Sequence, residues 1–131
     1  MEPAQPDIQL IANVVVQDDS GKVLFVKYDS EDERWWLPGE DLTPYQHPDD
    51  RAKQVLDEIP GLTYDNLQMV FIESFRGRRG WHVMFNYHAT GKGESVGPPQ
   101  GEWFPPETLP QTMHGKWERE VIQRVFENQS D

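Results

Sequence analysis

The chain is 131 residues long, with 23 acidic residues against 12 basic ones, a formal net charge of −11 and no cysteine. Such a length holds a single domain with one sizeable core, and the missing cysteine excludes disulfides, thiolate zinc sites and cysteine nucleophiles. The surplus of acid repels a phosphate backbone over about a Debye length, ~8–10 Å, which excludes a broad nucleic-acid footprint but leaves a small phosphorylated ligand open wherever positive charge gathers.

Residues 1–7 carry two prolines and two acids without a period and read as a flexible lead-in, with 8–131 as the domain. The opening MEPAQPDIQL lacks the basic start and apolar stretch of a signal peptide, and no apolar run reaches the ~18 residues of a membrane span. A cytoplasmic protein without membrane contact is therefore expected. From Ile8, IQLIANVVVQ and KVLFVKY are two apolar runs joined by DDSG, the pattern of a β-hairpin. DSEDER reads as a solvated loop, and in WWLPGE the pair Pro38 and Gly39 is expected to end any regular element.

Between Pro48 and Pro60 lies a helix, because Ala52, Val55, Leu56 and Ile59 make one apolar stripe and Pro48, Asp49 and Asp50 suit a helix start. QMVFIESFR and WHVMFNYHAT are two further strands around GRRG. The second alternates, with Trp81, Val83, Phe85 and Tyr87 on one face and His82, Met84, Asn86 and His88 on the other. GKGESVGPPQG reads as a loop, EWF as a short strand, PPETLP as a turn, and Lys116 to Glu127 as a helix with Trp117, Val121 and Val125 inward. The order ββαβββα gives an α+β fold.

These pieces together resemble the Nudix family. ANVVVQDDSGKVLFVKY is similar to that family's opening strands, WWLPGE to the turn that begins the Nudix box, RAKQVLDEIPGL to its helix, and EWFPPETLP to its late strand and turn. The resemblance spans roughly Ile8 to Phe126 and implies an α/β/α sandwich with a mixed sheet, in one domain. It further implies a hydrolase of nucleoside diphosphate-linked or other small phosphorylated substrates, using Mg²⁺ or Mn²⁺.

The box reads G-x5-E-x7-R-E-U-x-E-E-x-G-U, with U a bulky aliphatic. Carboxylates at i, i+3 and i+4 put hard oxygen ligands on one helical face, as ions bridging a diphosphate require. The sequence fits this box in two registers. Holding Gly61 as the later glycine places Gln54 and Val55 at Arg-Glu, Glu58 and Ile59 at Glu-Glu, and Gln46 at the isolated glutamate. Counting from Gly39 places Gln54 at the first ligand, Asp57 and Glu58 at the pair, Tyr45 at the isolated glutamate and Pro60 at the later glycine. The apolar stripe favours the second register, because it keeps Val55 and Ile59 in the core. In both, the box is degenerate, and Glu58, with Asp57, is the catalytic and metal-ligating candidate. Glu40, Asp41, Asp49, Asp50 and Glu102 are further carboxylates that could supplement it.

Outside the box, Arg76, Arg78 and Arg79 gather positive charge in an acidic chain, which suits either phosphate recognition or a polar hairpin turn. His82 and Asn86 share a strand face near Glu73 and are either acid–base and substrate-binding groups or a satisfied sheet face. Trp36 is either a stacking platform for a flat ligand or a core anchor. Glu102, at the end of a loop, is a further general-base candidate by the resemblance; His47 and His114 carry no assignment. Three readings stay open: a metal-dependent hydrolase; a Nudix-like module binding a small molecule or a protein partner; and an enzyme doing metal-free acid–base chemistry with His82, Glu73 or Glu102. A small-molecule ligand is expected, and a homodimer is compatible with all three.

Overall fold

The computed structural model describes residues 8–29, 31, 33–95, 98–113 and 115–129. The expected lead-in, 1–7, and His114 lie outside the described residues. The elements in chain order are β1 (Ile8–Gln17), β2 (Val23–Lys27), β3 (Gly39–Asp41), α1 (Pro48–Asp57), β4 (Thr63–Gly77), β5 (Gly80–Lys92), β6 (Gln100–Phe104) and α2 (Lys116–Gln129). One six-stranded sheet runs β4-β5-β1-β2-β6, with β3 also paired to β1. The β1–β5 pair is parallel and the others antiparallel, so the sheet is mixed.

Side chains of β1 alternate between two packed layers. Ala12, Val14 and Val16 join Leu24, Val26, Tyr87 and Ala89 beneath Ala52, Leu56 and Ile59 of the α1 segment. Val15 joins Val23, Phe25, Trp35 and Leu37 beneath Val121, Ile122 and Val125 of α2. A strand covered on both faces has no polar side, which is why IQLIANVVVQ shows little alternation in sequence. The α/β/α sandwich is thus present as expected. Trp35 and Trp36, adjacent in sequence, enter opposite layers for the same reason.

Three elements differ from expectation. Gly39 does not end regular structure: Gly39–Asp41 forms β3, paired with Asn13, Ala12 and Ile11. Three residues are too few to carry a periodic signal, and the pairing is entirely tertiary. Strand β4 begins at Thr63, well before the expected QMVFIESFR, because β5 extends to Lys92 and pairs with it throughout, across two irregularities. The first helix ends at Asp57 rather than at Pro60, with the Glu58 N–H donating to the Gln54 carbonyl. Its start is as the sequence suggests: His47 Nδ1 accepts from the Asp49 N–H at 3.0 Å, Pro48 opens the first turn, and Asp49 and Asp50 favour the positive end of the helix dipole.

The chain leaves α1 through Gly61, at φ +78°, where an added Cβ would overlap the Glu94 carbonyl. Gly115 also has a positive φ, +64°, but nothing lies within 4 Å of its Cβ position. Gly61→Ala is therefore expected to cost about 2–4 kcal/mol, strain plus displacement of a backbone neighbour, and Gly115→Ala only about 1 kcal/mol of strain. Urea denaturation midpoints of the two variants check this; equal losses would show that the Glu94 contact contributes nothing.

Candidate functional site

Beside α1, Tyr28, Glu40, Val55, Glu58 and Pro99 enclose a cleft of about 150 Å³. Each wall residue is placed by a different element. Tyr28 follows β2, and its hydroxyl donates to the Gly39 carbonyl at 3.3 Å while its ring meets Trp36 edge-on at 6.4 Å. Glu40 is set by the pairing of β3 with Ala12. Val55 and Glu58 lie three apart, so α1 and the turn after it present them on one side. Arg51 braces this side: Nε donates to the Asp41 carbonyl at 2.8 Å, Nη1 to Gln54 Oε1 at 2.8 Å, and Nη2 lies 3.9 Å from Glu40 Oε2.

The cleft is electrically negative. Burial pushes the Tyr28 hydroxyl up to about 12; the hydrogen bond to the Gly39 carbonyl opposes this, the Glu40 and then the Glu58 carboxylate add to the rise, and Arg51 opposes it least. Although 41% of the Tyr28 surface is exposed, its hydroxyl feels the Glu40 and Glu58 carboxylates. A tyrosinate there would face both of them.

The geometry selects the register that the apolar stripe disfavours. Val55 and Glu58 share the cleft, whereas Gln54 is engaged by Arg51 and Gln46, and Asp57 accepts from the Tyr64 hydroxyl at 2.7 Å on the opposite side. Burial and then Asp57 hold Tyr64 up at about 12. Gly61, with its positive φ and its contact to Glu94, has the conformational demand expected of the later glycine in the register held on it. Gly39 is also required, since a Cβ there would stand 3.0 Å from the Ala12 carbonyl. Both glycines fit only if the loop between them holds one extra residue. Tyr45, fully exposed with φ +66°, lies in that loop and carries the excess. The apolar stripe is shared between core and cleft wall, with Val55 serving both.

Among the described residues no three His, Asp or Glu side chains come close enough together to hold a metal ion. The helix positions that would complete a carboxylate face are Val55 and Ile59, each only 4% exposed, leaving Glu58 with Glu40 across the cleft. Among the described residues a set of three carboxylates for ions bridging a diphosphate is not formed, and Asp57 Oδ1 is engaged by the Tyr64 hydroxyl.

The remaining candidates fall elsewhere. Glu73, His82 and Asn86 lie on the α2 side of the sheet, opposite the cleft. Glu73 accepts from Trp117 Nε1 at 3.2 Å and Arg124 Nη1 at 3.1 Å. His82 stacks on Phe75 with centroids 5.2 Å apart, and its Nδ1 lies 3.1 Å from the Gly80 carbonyl. Asn86 is fully buried and accepts from Asn13 Nδ2 at 3.1 Å. Glu102 is exposed on β6 opposite Phe25, again on the α2 side. Arg76, Arg78 and Arg79 occupy the β4–β5 hairpin tip; only Arg79 reaches toward the cleft, with Nη2 3.6 Å from Asp41 Oδ1. Trp36 packs at the edge of the α1-side core, against Tyr28. Tyr28 and Arg51 had no sequence signal, because what qualifies them is proximity across long loops. A wider, open hollow of about 590 Å³ lies at the start of α2 between Arg34 and Arg119, and none of the sequence candidates lines it.

The sandwich, the glycine turn into α1 and the position of the cleft define a Nudix-type fold, and solved structures agree. The chain superposes on a UDP-X diphosphatase with a TM-score of 0.77 at 14% identity, covering 96% of this chain and 64% of that one. It superposes on an ADP-ribose pyrophosphatase from Streptococcus suis with a TM-score of 0.72 at 20% identity, covering 94% and 93%. On a NUDIX hydrolase from Nitrosomonas europaea the values are 0.67, 12%, 92% and 90%. The chain thus spans about two thirds of the first of these proteins and nearly all of the other two. No protein-family profile and no curated protein sequence matches it.

The Tyr28 environment gives a sign-definite pH effect. Its ordinary value of 10.0 applies to the unfolded chain and about 12 to the fold. Its contribution to stability is complete below the unfolded value and is lost as pH rises through the folded one. Urea midpoints are expected to fall between about pH 10 and 12. In Glu58→Gln, with one carboxylate removed, the tyrosinate absorbance of Tyr28, isolated as the difference from a matched Tyr28→Phe variant, should begin at lower pH than in the wild type. An unchanged onset would mean that Glu58 does not face Tyr28.

Proposed function

We propose that this Nudix-fold chain is a small-molecule binding protein whose α1 cleft takes a cationic or N–H-rich head group without a divalent metal. The observation that carries this reading is the cleft wall itself: Glu40 and Glu58 supply hydrogen-bond acceptors and negative charge, Val55 and Pro99 supply apolar surface, and among the described residues no basic side chain lines it, Arg51 standing behind Glu40 at 3.9 Å. Such a wall repels a bare phosphate and attracts an amine, guanidine or amidine. At ~30 Å³ per water the cleft has room for about five water molecules, well below the ~300–1,000 Å³ of sites that enclose a drug-sized ligand. It therefore holds a head group, with the rest of the ligand outside.

A second reading is the metal-dependent hydrolysis of a nucleoside diphosphate-linked substrate. It is favoured by one observation, that two carboxylates rather than one face the same cleft, since Mg²⁺ commonly uses one or two carboxylates together with substrate phosphate oxygens.

Thermal unfolding in EDTA with agmatine as the cationic probe and ADP-ribose as the anionic one separates the readings. Agmatine at ten times its Kd should raise Tm by about 5 °C, and Glu58→Gln should abolish the shift. ADP-ribose should give none, and neither Mg²⁺ nor Mn²⁺ should produce turnover of a nucleotide-sugar panel. Metal-dependent turnover lost in Glu58→Gln would replace the first reading by the second.

A further inference from the structure

Helix α1 has ten residues, about 15 Å of length, whereas β5 has thirteen and β4 fifteen, more than ~40 Å each. The helix cannot cover the whole α1 side of the ribbon that these strands form with the start of β1. Pairing places Ile8 beside Trp81, and Trp81 beside Arg76. It likewise places Leu10 beside Val83, Ile72 beside Phe85, and Met69 beside Tyr87. All of these side chains are on the α1 side. Ile8 is 48% exposed, Leu10 40%, Met69 47%, Ile72 53% and Trp81 45%. Five half-exposed large side chains on one face amount to about 500 Å² of apolar surface, within the range that marks interaction sites.

We propose that this face is a homodimer interface, two copies packing ribbon to ribbon about a two-fold axis so that Arg76 and Arg78 of one copy meet the partner's Asp50. Charge selects a second copy as the occupant. The patch itself carries no acid in a chain of net charge −11, so it is a surface on which two copies can approach. Its two ends are oppositely charged. At the hairpin tip stand Arg76, beside Trp81, and Arg78, in the turn; Arg79 already faces Asp41. At the other end stands the start of α1, fixed over β5 by the Tyr87 hydroxyl donating to Asp49 at 2.5 Å. Asp50 precedes Asp57 by seven residues and so shares the β4-facing side of the helix, on which Asp57 accepts from Tyr64. The two ends are about 20 Å apart, six residues of strand from Trp81 to Tyr87. A two-fold axis midway between them brings basic end to acidic end twice, as an isologous interface requires. Two such patches bury about 1,000 Å² of apolar surface before the charged rim is counted, near the lower bound for a specific complex.

Sedimentation equilibrium of the full chain tests this. The wild type is expected to behave as a dimer at tens of micromolar, with a mass twice 15.3 kDa. Ile72→Glu and Trp81→Glu should each give monomer with circular dichroism and urea midpoints close to wild type, since both side chains point out of the fold. Arg76→Glu with Arg78→Glu should weaken the dimer at least tenfold, and adding Asp50→Arg should restore most of that loss. A wild type that stays monomeric, a dimer indifferent to Trp81→Glu and Ile72→Glu, or a charge reversal with no effect or no rescue would overturn the proposal. So would a monomer that sediments with neutral phosphatidylcholine vesicles, which would make the face a membrane contact.

Discussion

Strand β1 runs parallel to β5 for ten residues, from Ile8 beside Trp81 to Gln17 beside Thr90, and both faces of the sheet depend on that register. Odd-numbered residues of β1 and even-numbered residues of β5 go under α2; the others go under α1. Because a sheet repeats every two residues, no adjustment smaller than a one-residue slip could move a side chain across, and such a slip would drive Val14 and Val16 under α2 and Val15 under α1. The fate of each chemical group is decided here. His82 and Asn86 are separated from Glu58 by the thickness of the sheet, whatever their proximity in sequence to residues that face it.

Much of this was legible beforehand and the remainder has identifiable reasons. The α1 stripe, the helix start at Pro48, the alternation in WHVMFNYHAT and the order of elements are local patterns, and local patterns survive folding when the tertiary structure agrees with them. Strand β3 and the early start of β4 are created by partners, Ala12 in one case and Lys92 in the other, and leave no mark in their own residues. The place of Val55 in the cleft leaves no mark in the sequence, where an apolar residue of the stripe reads as core alone. Val55 is 4% exposed and yet forms part of a cleft wall, since a wall needs only one methyl at the surface. The extra residue in the loop was hidden for a related reason: Tyr45 stands in the left-handed region without being Gly, Asn or Asp.

The chemistry of the cleft follows from what a short helix end can present. Carboxylates at i, i+3 and i+4 would have made a face for hard cations. With valine and isoleucine at two of the three positions, the negative charge that remains is sparse and lies next to an apolar surface. A phenol lines the cleft with Glu40 and Glu58, its ionisation pushed up to about 12, and it offers a donor already spent on the Gly39 carbonyl. Whatever enters must bring its own donors. The acidity of the whole chain supports this only weakly, because exposed carboxylates far from the cleft are screened by salt.

The crossing of two backbone segments beside the cleft has a broader meaning. A Cβ on Gly61 would overlap the Glu94 carbonyl, and a Cβ on Gly93 would overlap the Gly61 carbonyl, so each segment is held by the absence of a side chain on the other. Neither glycine can be replaced by compensating at its partner, since both collisions are with backbone. The chain between them is the β4–β5 hairpin, entered and left at one point like a loop tied at its neck. Such a unit has its ends together in space and most of its pairings within itself, which are the attributes of a segment that opens and closes as one in hydrogen exchange. The same closure makes its two ends suitable for rejoining in a permuted chain.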